Sequence, residues 1–315
     1  ALMGACGVTL HAILPVFGVA ETGKLVFGIV SSLAGLVLVW RGGYRLFERV
    51  MKVCIGVMFA TVMVTAVLLW PGTVAVLEGL LVPRVPAVDG ALPWVLALMG
   101  GVGGTVTVLC YGYWLREEGR TTTADLRVSR IDLAAGYLMT ALFGIAMVII
   151  GSGLPAEGQG ARLLTVLAGQ LTAELGVLGG WLFLLGAFGA VFSSLLGVWQ
   201  AVPYLFADCW RLRGGLADAS SRPAPIDTRS RPYRFYLVLL ALVPMAGLVF
   251  DFREMQKLYA LTGLFFFPVL AGALLVFNGR ATWIGRSSRN GVFANVGLVA
   301  VLLLFAWVGW SEWRG

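Results

Sequence analysis

Three features of this 315-residue sequence predict an all-α fold that crosses a membrane many times. Apolar residues make up 59% of it and charged residues 12%, against roughly 45–50% and about 25% in soluble domains. Glycine is abundant, at 42 residues, and small residues let helix backbones approach closely in lipid. Apolar runs recur at about 17–25 residues, the length of helix needed to cross a hydrocarbon core of about 30 Å.

Taken in order, those runs predict nine spans: 2–19, 25–40, 53–70, 92–115, 131–153, 177–206, 234–250, 258–278 and 291–310. The second is short, and needs tilt or neighbours. The sixth is too long for one simple span and is expected to project beyond the bilayer near Asp208. Residues 160–175 are amphipathic and read as a surface helix lying in the interface. No soluble domain remains, so the chain is expected to form a single transmembrane domain over 1–315.

The formal charge is +7, and its placement decides its meaning. Of 23 Lys and Arg residues, 17 lie in loops 41–52, 116–130, 207–234 and 279–290, and 6 lie in the alternating loops 20–24, 71–91, 154–176 and 251–257 or at the C-terminus. Loops rich in Lys and Arg stay in the cytoplasm, so the chain's N-terminus is expected inside and its C-terminus outside. A bacterial inner membrane is the expected location. The charge is therefore a topology signal with anionic membrane lipids as neighbours, and no nucleic acid partner is expected. Trp40, Trp70, Trp94, Trp181, Trp283, Trp307, Trp310 and Trp313 fall near span ends, as interfacial aromatic belts do. Cys6, Cys54, Cys110 and Cys209 show no CxxC or zinc-like spacing, which leaves buried thiols rather than a disulfide framework.

The segment 99–120, MGGVGGTVTVLCYGYWLREEGR, holds the chemistry. Gly100, Gly101, Gly103 and Gly104, followed by β-branched Thr105, Val106, Thr107 and Val108, are poor helix material inside a spanning stretch. Non-helical backbone at membrane depth survives where it is buried in protein or lines a cavity. Transporters use such breaks to present carbonyls and half-helix ends to a substrate. The competing reading is that the glycines only allow close helix contacts. Cys110 and Tyr111 follow directly and either line the pathway or pack in the core. Glu117 and Glu118, among Arg116 and Arg120, read as a solvated, salt-bridged helix end.

Here the chain resembles the Nramp family of divalent-metal transporters, whose sixth helix carries Gly-Ala-Thr-Val-Met-Pro-His at its break. This sequence has Gly103-Gly104-Thr105-Val106-Thr107-Val108-Leu109. The segment RGGYRLFERVMK (41–52) is similar to the link into the family's fifth helix. FLLGAFGAVFSSLLGVWQAVPYLFAD (183–208) is similar to its eighth helix, and FFFPVLAGALLVFN (265–278), with Pro268 and Asn278, to its tenth. The resemblance implies an inverted-repeat, broken-helix bundle of the APC and Nramp type, with the nine spans as helices three to eleven. It also implies secondary-active transport of a divalent cation by alternating access around a midplane site. Helices one and two, with their Asp-Pro-Gly stretch, have no counterpart in this sequence. They are expected to precede Ala1, and these residues alone are not expected to transport.

What the resemblance implies for the site is mostly backbone. The Gly104 carbonyl takes the place of the family's ligating Ala carbonyl. Thr105 and Thr107 supply hydroxyls, and Thr262 stands near the position of the tenth-helix Gln. The family's Met falls on Thr107 and its His on Leu109. Oxygen ligands suit a harder ion such as Mg²⁺ or Mn²⁺, whereas the thioether favours softer ones such as Fe²⁺. The metal is cargo, and no resident cofactor is expected. Protons are a candidate co-substrate, because His11, the only histidine, lies in the first span. Ionisable groups in membranes are functional by default; the competing reading is that a histidine near Pro15 hydrogen-bonds a carbonyl. Ser193 and Ser194 are expected to bond back to their own helix.

Enzyme readings find no motif, since HExxH, GxSxG, Walker A and a βαβ-borne GxGxxG are all absent. An amino-acid or organic-cation carrier of the same superfamily is the alternative, and a non-transporting membrane scaffold or sensor is a second.

Overall fold

Proline and glycine set the ends of the helices. The computed structural model describes residues 1–82, 106–120, 122–152, 161–213, 227–286 and 289–314, and these are helical, with no strand among them. Helix α1 (Leu2–Ile13) stops short of the expected 2–19, because Pro15 disfavours α geometry at the residue before it. Helix α2 then covers Ala20 to Leu68. The sequence reading puts a basic loop at 41–52 within this range, and the structure replaces it with helix. Arg, Leu, Glu, Met and Lys, which fill much of 41–52, propagate a helix well, and no proline interrupts them. Helix α2 carries two membrane-length apolar stretches, Ala20–Arg41 and Tyr44–Leu68. Gly35 in the first packs on Leu195 and Met51 in the second lies beside Gly197, so the two run side by side rather than end to end.

Helix α3 (Thr73–Leu81) follows. After a 3-10 turn at Val106–Cys110 comes the seven-residue α4 (Tyr111–Glu117). Helix α5 (Leu126–Ser152) and α6 (Ala161–Arg213) are long. Within α6, Gly176 adopts φ 77 and ψ 177, backbone open to glycine and costly for any other residue. It separates the amphipathic stretch from the long apolar one, and Gly180 on the far side lies close to Ala168 and Thr172. Helix α7 (Arg231–Leu242) passes into a 3-10 segment, Val243–Val249, at Pro244. Then come α8 (Phe252–Leu264), α9 (Phe266–Gly279), the short α10 (Ala281–Ile284) and α11 (Val292–Arg314). Pro268 sits in the first turn of α9, where a missing N–H costs nothing.

Six helical stretches among the described residues are long and apolar enough to span a bilayer, the remaining four being Leu126–Ser152, Gly176–Arg213, Arg231–Val249 and Glu254–Gly279. Residues 92–105 of the expected fourth span lie outside the described residues.

The chain divides into two units. The first takes in Ala1–Arg84 and Thr107–Gln256. In it α1 and α2 pack antiparallel through glycine. A Cβ on Gly7 would stand 2.0 Å from the Lys24 carbonyl oxygen, and one on Gly28 would stand 2.9 Å from that of Met3. One core joins Met3, Cys6, Val39, Leu195, Trp199, Tyr204, Tyr233, Leu237 and Leu248. Another joins Ile13, Val62, Ala66, Ile149, Ile150, Leu171, Phe183 and Leu184. Lys24, expected in an external loop, is buried at 3% exposure. Its ammonium pairs with Glu21 at 2.5 Å and donates to the Phe250 carbonyl at 3.2 Å, as a buried charge must.

Ser32 shows how proline creates a need that another helix meets. Pro244 has no N–H to offer the Ala241 carbonyl in a 3-10 bond. The buried Ser32 hydroxyl on α2 donates to that carbonyl at 2.8 Å. Replacing Ser32 with alanine is expected to lower stability in detergent by about 1 kcal/mol, the scale of a buried interhelical bond, as read by denaturant titration.

The second unit, described from Lys257 onward, holds α9 against α11. Asn278 donates to Asn290 Oδ1 at 3.2 Å, and Asn290 donates to the Leu274 carbonyl at 3.3 Å. Together they tie the end of α9 to the residue just before α11. Phe267 and Phe305 stack between these helices at 6.0 Å.

Candidate functional site

The residues expected to form the substrate pathway have unequal positions. Gly104 and Thr105 lie outside the described residues. Thr107 lies in the 3-10 turn Val106–Cys110, and its side chain is outside the described set. A 3-10 turn holds its carbonyls less well than an α-helix does and marks hinges within helical segments. Cys110 ends the turn fully buried, its thiol donating to the Ala201 carbonyl at 3.3 Å. That carbonyl lies two residues before Pro203, which interrupts the hydrogen-bond ladder of α6. The neighbouring Gln200 carbonyl likewise accepts from the Tyr233 hydroxyl, at 3.2 Å.

Tyr111 opens α4 and its hydroxyl donates to Asp132 Oδ2 at 2.9 Å. Thr262, on α8 in the second unit, donates to the Leu258 carbonyl one turn back at 2.7 Å. His11 stands in the last turn of α1 beside Gly23 and 6.4 Å from the Phe27 ring. Its Nδ1 is buried without a hydrogen-bond partner among the described residues, so the alternative bond to a carbonyl is not made at that nitrogen. Ser193 and Ser194 both donate to the Ala190 carbonyl, at 3.0 and 2.9 Å, as expected of serines within a helix.

Sequence reasoning missed the side chains that gather around α4. The Tyr113 hydroxyl donates to Asp208 Oδ2 at 2.9 Å, and Arg211 pairs with the other oxygen of that carboxylate at 2.8 Å. Trp114 donates to Gln200 Oε1 at 2.5 Å. The Tyr204 hydroxyl donates to Glu117 Oε1 at 2.6 Å, and the Tyr44 hydroxyl to Glu118 Oε1 at 3.2 Å. Arg120 pairs with Glu118 at 2.7 Å and reaches Asp132 at 3.7 Å. Rings complete the set: Tyr113 stacks on Tyr204 at 5.6 Å, Tyr204 meets Tyr233 edge-on at 5.2 Å, and Phe47 stacks on Trp114 at 6.4 Å. The solvated helix end expected at Glu117 and Glu118 thus holds for the Glu118–Arg120 pair, while Glu117 is bonded to a buried tyrosine. The only local signal was the density of aromatic residues in Tyr111-Gly112-Tyr113-Trp114. Among the described residues, no three His, Cys, Asp or Glu side chains gather closely enough to hold a metal ion.

Membrane-length apolar helices, aromatic and arginine side chains paired at their ends (Arg234 over Trp40 at 4.7 Å, Arg280 over Trp283 at 4.5 Å) and a 3-10 turn before a short helix define the class. This is an all-α, multi-pass integral membrane protein. The family model described as natural resistance-associated macrophage protein-like, Nramp, matches residues 5–311. The chain belongs to the Nramp family, whose members are transporters of divalent metal ions rather than enzymes. No curated protein matches the chain.

Proposed function

We propose that the protein moves a divalent metal cation across its membrane by secondary-active, alternating-access transport, with Mg²⁺ and Mn²⁺ fitting the site better than softer ions. The observation that carries the reading is the family match over residues 5–311, and the resemblance of Gly103-Gly104-Thr105-Val106-Thr107 to the family's helix-six break supports it. In this reading the Gly104 carbonyl and the Thr105 and Thr107 hydroxyls contact the ion. Cys110 and Tyr111 line the path below them, and Thr262 contributes from the tenth-helix position. Oxygen donors of this kind suit hard ions.

His11 is proposed as a proton relay. Support comes from its buried Nδ1, which lacks a partner among the described residues, and from the cost of leaving such a group unpaired in an apolar setting. The Arg- and Lys-rich segments are proposed to face the cytoplasm of a bacterial inner membrane, beside anionic lipid. The basic stretch 41–52 enters that assignment as helix rather than loop. The whole of 1–315 is read as one transmembrane domain.

The test is uptake into proteoliposomes of the native protein. Mn²⁺ or Mg²⁺ is expected to enter faster than into protein-free vesicles, with an imposed proton gradient changing the rate if His11 relays protons. If no Mn²⁺, Fe²⁺ or Mg²⁺ enters above the protein-free rate, the metal reading is lost. The organic-cation and scaffold readings have no observation of their own in support.

A further inference from the structure

Helix α4 is seven residues long, with the 3-10 turn Val106–Cys110 at its N-terminal end and Gly119, at φ 72, just past its C-terminal end. Both features allow a change of direction. Its backbone makes few close approaches to other described elements. Long side chains make its connections instead: Tyr113 and Glu117 to α6, Trp114 to α6 and α2, Tyr111 to α5. An element whose two ends each allow a change of direction, held mainly by side chains, is one that moves when those bonds are released.

Among these bonds, one joins very unequal partners. Tyr204 is 2% exposed, with Tyr113 stacked on its ring and Tyr233 edge-on to it, so its hydroxyl is shielded from water while α4 is in place. Glu117, which accepts from it at 2.6 Å, is otherwise exposed. Glu117 thus loses little when α4 moves away, while the buried hydroxyl loses its acceptor. The asymmetry puts the resistance to motion on Tyr204. Cys110 sits at the base of the same helix, with its thiol against the Ala201 carbonyl, one turn before Tyr204 along α6.

We propose that Tyr204 is a positioning residue for transport: through Glu117 it latches α4 against α6, and release of that bond lets α4 swing and opens the path beside Cys110. The role as part of a transport cycle rests on the metal-transport reading above; the latch itself does not.

Cys110 is its own reporter. Cys6, Cys54 and Cys209 are replaced by serine, and labelling of Cys110 by N-ethylmaleimide is followed in proteoliposomes. Tyr204→Phe and Glu117→Ala are each expected to speed labelling about tenfold, the factor that one hydrogen bond to a charged group makes in a two-state equilibrium. Glu117→Gln keeps an acceptor oxygen without the charge and is expected to label at a rate between the parent and Glu117→Ala. The double variant Tyr204→Phe/Glu117→Ala is expected to label no faster than either single one. A protein retaining only Cys6, which lies fully buried on α1 in the core that also holds Tyr204, is expected to label at an unchanged rate in all variants.

Equal labelling in Glu117→Ala and the parent overturns the latch, and because Glu117 is exposed this variant carries little risk of misfolding. Faster labelling of Cys6 as well overturns it too, by showing general loosening. Labelling that follows the expected pattern, with no metal uptake by the parent, leaves the latch standing and removes the transport reading alone.

Discussion

Gly7→Ala is expected to destabilise the protein by about 2–3 kcal/mol, the range for forcing extra atoms into a packed interior. The new methyl group would sit 2.0 Å from the Lys24 carbonyl oxygen, 2.8 Å from its carbon and 3.0 Å from the Gly28 nitrogen. All three are backbone atoms, so no side chain can rotate aside and α1 must move off α2. In lipid there is little hydrophobic force to restore that seam, because helix association rests on close packing and interhelical bonds. Gly56→Ala, on α2 itself, is the contrasting case. Nothing lies within 4 Å of the added carbon there, and alanine is the better helix former by about 0.5–1 kcal/mol. Thermal unfolding in detergent should therefore fall for Gly7→Ala and hold or rise slightly for Gly56→Ala. Equal behaviour of the two would show that the α1–α2 seam is not packed through Gly7.

Thr107→Met is expected to shift uptake toward softer ions, raising the ratio of Fe²⁺ to Mg²⁺ transport by about tenfold, since a thioether prefers transition metals to hard cations. The hydroxyl lost in the exchange is an oxygen donor of the type that Mg²⁺ demands. Competition between the two ions in proteoliposomes reads the ratio directly, independent of how much active protein each preparation holds. An unchanged ratio would take residue 107 out of the ion's path. A fall in uptake of both ions to equal degree would mark it as structural.

The sequence makes these two experiments unequal in origin. Residue 107 was legible because glycines and β-branched residues inside an apolar run oppose the helix the run requires, and because their order resembles the Nramp break. Gly7 was one of 42 glycines, and nothing local separates it from Gly56. The difference lies in which backbone faces each one. The same holds for Ser32 with Ala241, which lie 209 residues apart, and for Tyr204 with Glu117, which lie 87 apart. A serine or tyrosine in an apolar stretch announces a polar group needing a partner, but not where the partner stands. At 41–52 the charge pattern points to a loop while propensity favours helix, and in the structure the second apolar helix already begins at Tyr44.

The sequence by itself determined the class. Composition and run length require a membrane-spanning helical protein, because in a bilayer every backbone group must be bonded within its own segment, and that constraint is local. The tertiary structure alone decided which glycines bring helices together, which carbonyls left open by proline find a donor, and which tyrosine holds α4. Those are properties of atoms distant in the chain and close in space.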